Sequence, residues 1–321
     1  MKYRQLGTAT VSEIGLGCSA FWGSRFFSER TAVSIVHQAY EHGINLFDTG
    51  HNYSNYNAEP RLGRALASLI KSEGRDRLVI STKAGTLRRK PLIRDVPRTN
   101  YSPDYIEGAC SKAIKNLGCD YIDVFQLHGA PRSAITDELL TRLDRMRQRG
   151  MFRMLGINTH SKEVMHYITS LGRTFDVALI DVNVMQLDRL PTIHSMRAAG
   201  ISILAGTVLA QGHLVAGKIG RIRRPSDIWY LARALMRPQS RLLAGAASKM
   251  RKVLSGIPDV TPAQAAIASI LSFPEISSCI IGTTDLRNLR EISETPHRAI
   301  SKDALSRIIA TFDQGTFPIS G

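Results

Sequence analysis

Short apolar, β-branched runs recur along the chain, and each is followed by a segment whose apolar positions repeat with helical period. The strand-like runs are EIGLGC (13–18), INLFDT (44–49), LVISTKA (78–84), YIDVFQLH (121–128), FRMLGIN (152–158), DVALIDVN (176–183), ISILAG (201–206) and CIIGT (279–283). Between them lie ERTAVSIVHQAYEHG, AEPRLGRALASLI, SPDYIEGACSKAIKNLG, TDELLTRLDRMRQRG, SKEVMHYITSLG, LPTIHSMRAAG and TPAQAAIASILSFP. Several of these open on Ser, Thr or Asp and several close on Gly, as helix caps require. Strands alternating with helices call for a parallel sheet with helical crossovers. Eight such strands with no linker or break in composition predict one α/β domain over residues 1–321, a closed (β/α)8 TIM barrel. Ahead of the first strand, KYRQLGTATVSEIG reads as a β-hairpin turning at Gly7–Thr8, placed to close the bottom of the barrel, and additional helices follow at the C-terminus.

Composition changes that picture little; charge changes it more. Hydrophobic residues make up 43% of the 321 positions, enough to bury a large core. Lys and Arg number 42 against 27 Asp and Glu, a net charge of +15, which raises the question of nucleic acid or acidic surfaces as partners. The basic residues are spread, with runs at Arg88, Arg89, Lys90, Arg94 and Arg98 and at Lys218, Arg221, Arg223 and Arg224. Aromatic residues do not interleave with either run as a nucleic-acid surface requires, so no nucleic-acid partner is expected. The runs read instead as a solvated surface or as an anion-attracting site mouth. Four cysteines, at 18, 110, 119 and 279, show neither CxxC nor zinc spacing, so no metal and no disulfide framework is expected. No signal-peptide core and no run of about 18 apolar residues stands out, which points to a cytoplasmic protein without a membrane partner.

In a (β/α)8 barrel the site forms where strands end. The polar residues that terminate the apolar runs are Asp48, Lys83, His128, Asn158 and Thr283. Each alone has an ordinary structural role, but titratable groups of complementary type on consecutive strands must face one another across the mouth. Two tyrosines, Tyr53 and Tyr56, lie in the loop after Asp48. A phenol beside an ammonium has its ionised form favoured, which lowers its pKa, and a carboxylate paired with the lysine keeps that ammonium charged. A histidine can donate a hydrogen bond to a carbonyl. The set suits protonation of an oxygen while hydride reaches its carbon, with nicotinamide as carrier.

The chain resembles the aldo-keto reductases, from LGTATVSEIGLGC to IIGTTDLRNLREI, nearly its full length. FDTGHNY, VISTK and YIDVFQLH match the family's tetrad, which implies Asp48, Tyr53, Lys83 and His128 as catalytic residues; Tyr53, five residues after Asp48, has the family's spacing and Tyr56 does not. The resemblance implies NAD(P)H bound extended, with NADP preferred over NAD, and no GxGxxG follows an early strand. By position it nominates Asn158 and Thr159 for the carboxamide, and Gly206, Thr207, Leu209, Gln211, Gly212 and Lys218 along the seventh unit. It nominates Gly282, Thr283, Thr284, Arg287 and Glu291 for the adenosine phosphate end, where helix N–H groups would help seat phosphate. The small-molecule substrate, a carbonyl or alcohol, would meet Tyr53, His128, Trp22, Arg88 and Arg89; Trp22 with Phe21 and Phe26 reads equally as an apolar wall of the site or as ordinary packing aromatics. The basic loop TLRRKPLIRDVPRTNYS suits a sugar-like or anionic substrate. A monomer or weak homo-oligomer is expected.

The chain departs from the family at several points. GINT stands where Gly-x-Ser-Asn is usual, the sixth-strand glutamine falls at Leu179 or a close neighbour, and Ser54 follows the tyrosine where Gly is frequent. Glu-Ile stands near 291 where Glu-Asn is common. The aromatic that stacks on nicotinamide is replaced by Gly206, a loss of about 1 kcal/mol of contact. Two other readings follow: an acid/base enzyme without hydride transfer, and a cofactor-binding regulatory subunit like the β-subunits of voltage-gated potassium channels.

Overall fold

The computed structural model describes residues 1–87, 98–215, 238–298 and 300–315. Its first element is the hairpin: β1 (Tyr3–Leu6) and β2 (Ala9–Ser12) pair antiparallel around Gly7, whose φ of +53° suits the turn. Eight parallel strands follow: β3 (Ile14–Gly17), β4 (Leu46–Asp48), β5 (Val79–Ala84), β6 (Ile122–His128), β7 (Phe152–Thr159), β8 (Val177–Asp181), β9 (Ser202–Gly206) and β10 (Ile276–Ile281). They close into a barrel in chain order, with β10 pairing back onto β3. The helices among the described residues are α1 (Glu29–Glu41), α2 (Ala58–Glu73), α3 (Pro103–Leu117), α4 (Asp137–Gln148), α5 (Lys162–Ser170), α6 (Leu190–Ala198), α7 (Pro238–Ser255), α8 (Pro262–Leu271), α9 (Leu286–Ser293) and α10 (Lys302–Asp313). Caps form where the sequence places hydroxyls: Ser28, Thr136, Ser161 and Ser301 each accept a backbone N–H of the first turn, and Thr261 forms a capping box with Gln264.

Two apolar cores result from the period-2 alternation of the strands. Outward positions such as Phe47, Ile80, Phe125, Ile157, Ile180 and Ile203 pack against the helices in the larger core. Inward positions Leu46, Val79, Val124, Met154, Val177 and Leu204 fill the barrel with Leu6 and Val11 from the hairpin. The hairpin is latched there by Arg4, which pairs with Glu13 at 2.7 Å and donates to the carbonyls of Leu271, Phe273 and Ile276. The same inward parity, continued upward, turns polar: Asp48 on β4, Ser81 and Lys83 on β5, Gln126 and His128 on β6, Asn158 on β7 and Asp181 on β8. The mouth is therefore the upper layer of the same inward face whose lower layer is the apolar plug.

Strand limits differ from expectation most consequentially in β10 and β8. The last strand begins at Ile276, because Ser277 and Ser278 lie buried within it, Ser277 donating to the Gln5 carbonyl of the hairpin. It also stops at Ile281, so Thr283 lies beyond the strand rather than ending it. The DVALIDVN run stops at Asp181, where Val182 turns its N–H onto the Gly206 carbonyl. No helix among the described residues is long and apolar enough to cross a membrane.

Candidate active site

Lys83, 1% exposed, donates from Nζ to Asp48 Oδ2 at 2.6 Å and to the Thr49 carbonyl at 2.7 Å. Asp48 Oδ1 accepts from Ser81 Oγ at 2.8 Å and from Gln126 Nε2 at 3.2 Å, and Gln126 also holds Ser81. Burial works against the Lys83 charge, but the Asp48 carboxylate and then the Tyr53 phenol outweigh it, so its pKa stands above the usual lysine value. Ser81 and Gln126 escaped the sequence reading. Their signal was parity: each lies two residues before a tetrad position on its own strand, and so faces inward with it.

Tyr53 sits in the loop after β4. Its ring lies 5.1 Å from Lys83 Nζ and edge-on to His128, with centroids 5.5 Å apart at 87°. Gly50 makes room for this packing, since a Cβ there would come within 3.1 Å of the Tyr53 ring and 3.2 Å of Lys83 Cγ. The next residues, Ser54, Asn55 and Tyr56, all take positive φ, which explains why glycine suits position 54. Here Ser54 instead donates to the Ala20 carbonyl at 2.7 Å. Tyr56 turns away to pack edge-on against His51 at 5.3 Å. His51 is in turn 3.3 Å from the buried Glu59, which also accepts from Thr82 and Asn116, so this carboxylate ties the Tyr53 loop to α3 and the outer face of β5. The Tyr53 pKa departs from expectation: burial raises it above 10 and outweighs the lowering by Lys83, with Asp48 also raising it. The phenol is thereby held neutral.

His128 ends β6, its carbonyl accepting from Thr86 and Tyr101, each at 2.8 Å. Its Nδ1 is buried without a hydrogen-bond partner. Burial, then the charges of Lys83 and His160, push its pKa down to about 3, so the imidazole is neutral. Asn158, opposite His128 in the strand register, donates to the Leu179 carbonyl at 3.0 Å, and the Thr159 hydroxyl accepts from the Ser161 N–H.

The remaining nominated residues fall into four groups. Gly206 ends β9 beside Asp181, and the turn after it winds through positive φ at Thr207, Ala210, Gln211 and Gly212, with Leu209 half-buried between them. Gly282 approaches the Gly17 carbonyl so closely that a Cβ would lie 3.1 Å from it. Thr283 Oγ1 accepts the Asp285 N–H, Thr284 is half-buried, and Asp285 caps α9 by accepting the Arg287 N–H, while the exposed Arg287 guanidinium contacts that carboxylate at 3.4 Å. Glu291 accepts from Thr261 Oγ1 at 2.6 Å, which binds it to the start of α8. Arg88, Arg89 and Lys218 lie outside the described residues. Trp22 does not line the mouth: it is 2% exposed in the outer core, with its indole N–H on the Ala32 carbonyl. Its apolar neighbours outcompete a place at the rim. Phe21 packs against Phe27, and Phe26 projects into solvent. The sequence reading also missed His160 and Asp181, an ion pair of 2.9 Å at the rim of β7 and β8.

A neutral phenol beside a paired ammonium, with an unpartnered neutral imidazole next to it, is arranged to protonate an oxygen and to hold it by hydrogen bonds. This is the chemistry of an oxidoreductase acting on carbonyls. The chain belongs to the Aldo/keto reductase family, whose profile matches residues 13–311. It is 27% identical over 296 residues to the uncharacterized oxidoreductase YqkF of Bacillus subtilis (strain 168), covering 91% of this chain and 90% of that one. L-galactose dehydrogenase of Arabidopsis thaliana is 24% identical, with 98% of this chain and 95% of the relative covered. L-glyceraldehyde 3-phosphate reductase of Escherichia coli (strain K12) is also 24% identical, over 80% of this chain and 76% of the relative. Among solved structures, the holo form of the aldo-keto reductase AKR11C1 from Bacillus halodurans superposes with a TM-score of 0.76 at 22% identity, covering 97% of this chain and 96% of that one, which shows the shared fold.

Proposed function

We propose that the protein, acting as one barrel domain over 1–321, reduces an aldehyde or ketone to an alcohol with a nicotinamide dinucleotide, Tyr53 being the proton donor. The observation that carries this is the Tyr53 phenol, kept protonated by burial while it packs against Lys83 and His128. His128, neutral and with a buried ring nitrogen lacking a partner, donates to the substrate oxygen through its other nitrogen and orients it toward the phenol. Lys83, locked by Asp48, stabilises the phenolate that remains once the proton has left. The cofactor, when bound, supplies hydride to the carbonyl carbon. Bare backbone at Gly206 and the polar ends of β7 fit a flat amide-bearing ring, with Asn158 and Thr159 proposed for its carboxamide.

NADP is proposed over NAD on Arg287, whose weak, exposed contact with Asp285 lets it turn onto a 2′-phosphate. The Asp285 carboxylate at the same helix start opposes that preference, so the ratio of NADPH to NADH affinity is the deciding measurement. The names of the galactose dehydrogenase and glyceraldehyde phosphate reductase relatives support a sugar-like or phosphorylated substrate, as do the basic residues after β5. A monomer or weak homo-oligomer in the cytoplasm fits this reading. Tyr53→Phe tests it: turnover of a carbonyl panel is expected to fall by about a thousandfold or more, while cofactor quenching of protein fluorescence is retained. An active Phe variant would exclude Tyr53 as the donor. Cofactor binding without turnover in the parent protein would favour the regulatory reading, and no binding the reading without hydride transfer.

A further inference from the structure

Asp181 is a charged group of the mouth for which the proposed proton transfer has no task. It ends β8, which stands diametrically opposite β4 in the closed barrel. It shares inward parity with Val177 and Leu179, both of which belong to the inner core. Its register partner is Gly206, and a Cβ placed there would come within 3.2 Å of Asp181 Oδ1, so the carboxylate lies against the space that position 206 leaves bare. Oδ2 is 2.9 Å from His160 Nδ1, which orients the carboxylate, and Arg189 donates to the Asp181 backbone carbonyl, which holds the strand end. No donor to Oδ1 occurs among the described residues. The Asp181 charge raises the Tyr53 pKa and that of His160 lowers the His128 pKa, so the pair faces the same space as the tetrad.

If the reading above holds, the substrate oxygen sits at Tyr53 and His128, near β4 and β6. The facing wall is formed by the ends of β7, β8 and β9, where Asn158, Asp181 and Gly206 would border the ring that supplies hydride. The oxidised ring of the cofactor carries a positive charge and the reduced ring none, so a carboxylate on that wall discriminates between them. We propose that Asp181, set against the bare backbone of Gly206 and oriented by His160, is a specificity-determining residue that holds the oxidised nicotinamide cofactor more tightly than the reduced one. The imidazole, more than half exposed, leaves Oδ1 as the charge nearest the slot. This biases the bound equilibrium toward oxidised cofactor and alcohol, the product side of carbonyl reduction.

The test is direct binding to the full chain without substrate, using NADP+, NADPH, NAD+ and NADH, in the parent protein and in Asp181→Asn and Asp181→Glu. The ratio of reduced to oxidised Kd is expected to fall about threefold or more in Asp181→Asn, the effect of even a water-screened contact charge. Asp181→Glu should restore it. A purely structural role would weaken both redox forms alike and leave the ratio unchanged, which overturns the proposal, as would an Asp181→Asn variant that behaves like the parent. Should the Asn variant fail to fold, Asp181→Ser makes the same comparison. A parent protein that binds neither redox form overturns the nicotinamide reading itself, and this inference with it; binding with an unchanged ratio overturns only the inference.

Discussion

Replacing Asp48 with Asn leaves the size of the side chain unchanged and removes the charge that faces Lys83. The ammonium is 1% exposed, with Asp48 at 2.6 Å and the neutral Thr49 carbonyl as its hydrogen-bond acceptors. Leaving one member of a buried pair without its partner costs about 3–5 kcal/mol. Asn at 48 can still accept from Ser81 and Gln126, so those two bonds do not add to the loss. In a chain of this length a shift of about 2 °C per kcal/mol places the fall in melting temperature at about 6–10 °C. The Lys83 pKa is raised in the folded protein, so the stability it contributes is fully present below the usual lysine value of 10.5 and is lost as pH rises through the folded value. The variant should therefore lose this alkaline dependence as well as stability at neutral pH. Denaturation of the parent, Asp48→Asn, Lys83→Met and the double variant, followed in urea from pH 7 to pH 11, measures all of this. The double variant should be less destabilised than the sum of the singles, because removing both charges removes the uncompensated one. Additive losses, or an Asn variant as stable as the parent, would refute the placement of a charged pair at the base of the site.

Other outcomes follow from the same geometry. His128, with a folded pKa near 3, stays neutral while its unfolded counterpart gains a proton, so acidification below pH 6.5 should lower stability by at most about 1.4 kcal/mol per unit from this group; His128→Gln should flatten that slope in acid denaturation. Gly50→Ala pushes a methyl against the Tyr53 ring and Lys83 Cγ, and should lower kcat by about tenfold or more with little change in melting temperature. Arg4→Ala removes an ion pair and three carbonyl contacts at the far end of the barrel. It should cost about 2–4 kcal/mol in denaturant while kcat is unchanged, and a large loss of kcat would contradict the separation of plug and mouth.

Much of this was legible in the chain. Alternating apolar runs identify the barrel strands because outward positions must pack on helices and inward ones on each other, and the hairpin is marked by its turn at Gly7–Thr8. Asp48 and His128 end their strands as read, Lys83 stands one residue before the end of β5 at Ala84, and the five-residue spacing from Asp48 separates Tyr53 from Tyr56. The last strand was read short because Ser277 and Ser278 are polar, and only the neighbouring chain shows that they are buried. Trp22 was open between a wall of the site and ordinary packing, because local sequence cannot tell a rim aromatic from a core one, and the fold places it in the outer core.

What the sequence determined by itself is therefore periodic and local: which residues alternate, where strands stop, which hydroxyls cap helices, and which titratable groups share one end of the barrel. What only the tertiary structure decided depends on neighbours distant in the chain. The Tyr53 pKa is raised where the neighbouring ammonium alone predicts lowering, because the burial that the folded loop and barrel wall impose outweighs a single charge. Gln126 and Ser81 hold Asp48 across three strands, and Asp181 acquires its place only when β8 closes beside β9 and brings its carboxylate against Gly206. Burial and long-range electrostatics are sums over the whole fold, and no window of sequence contains them.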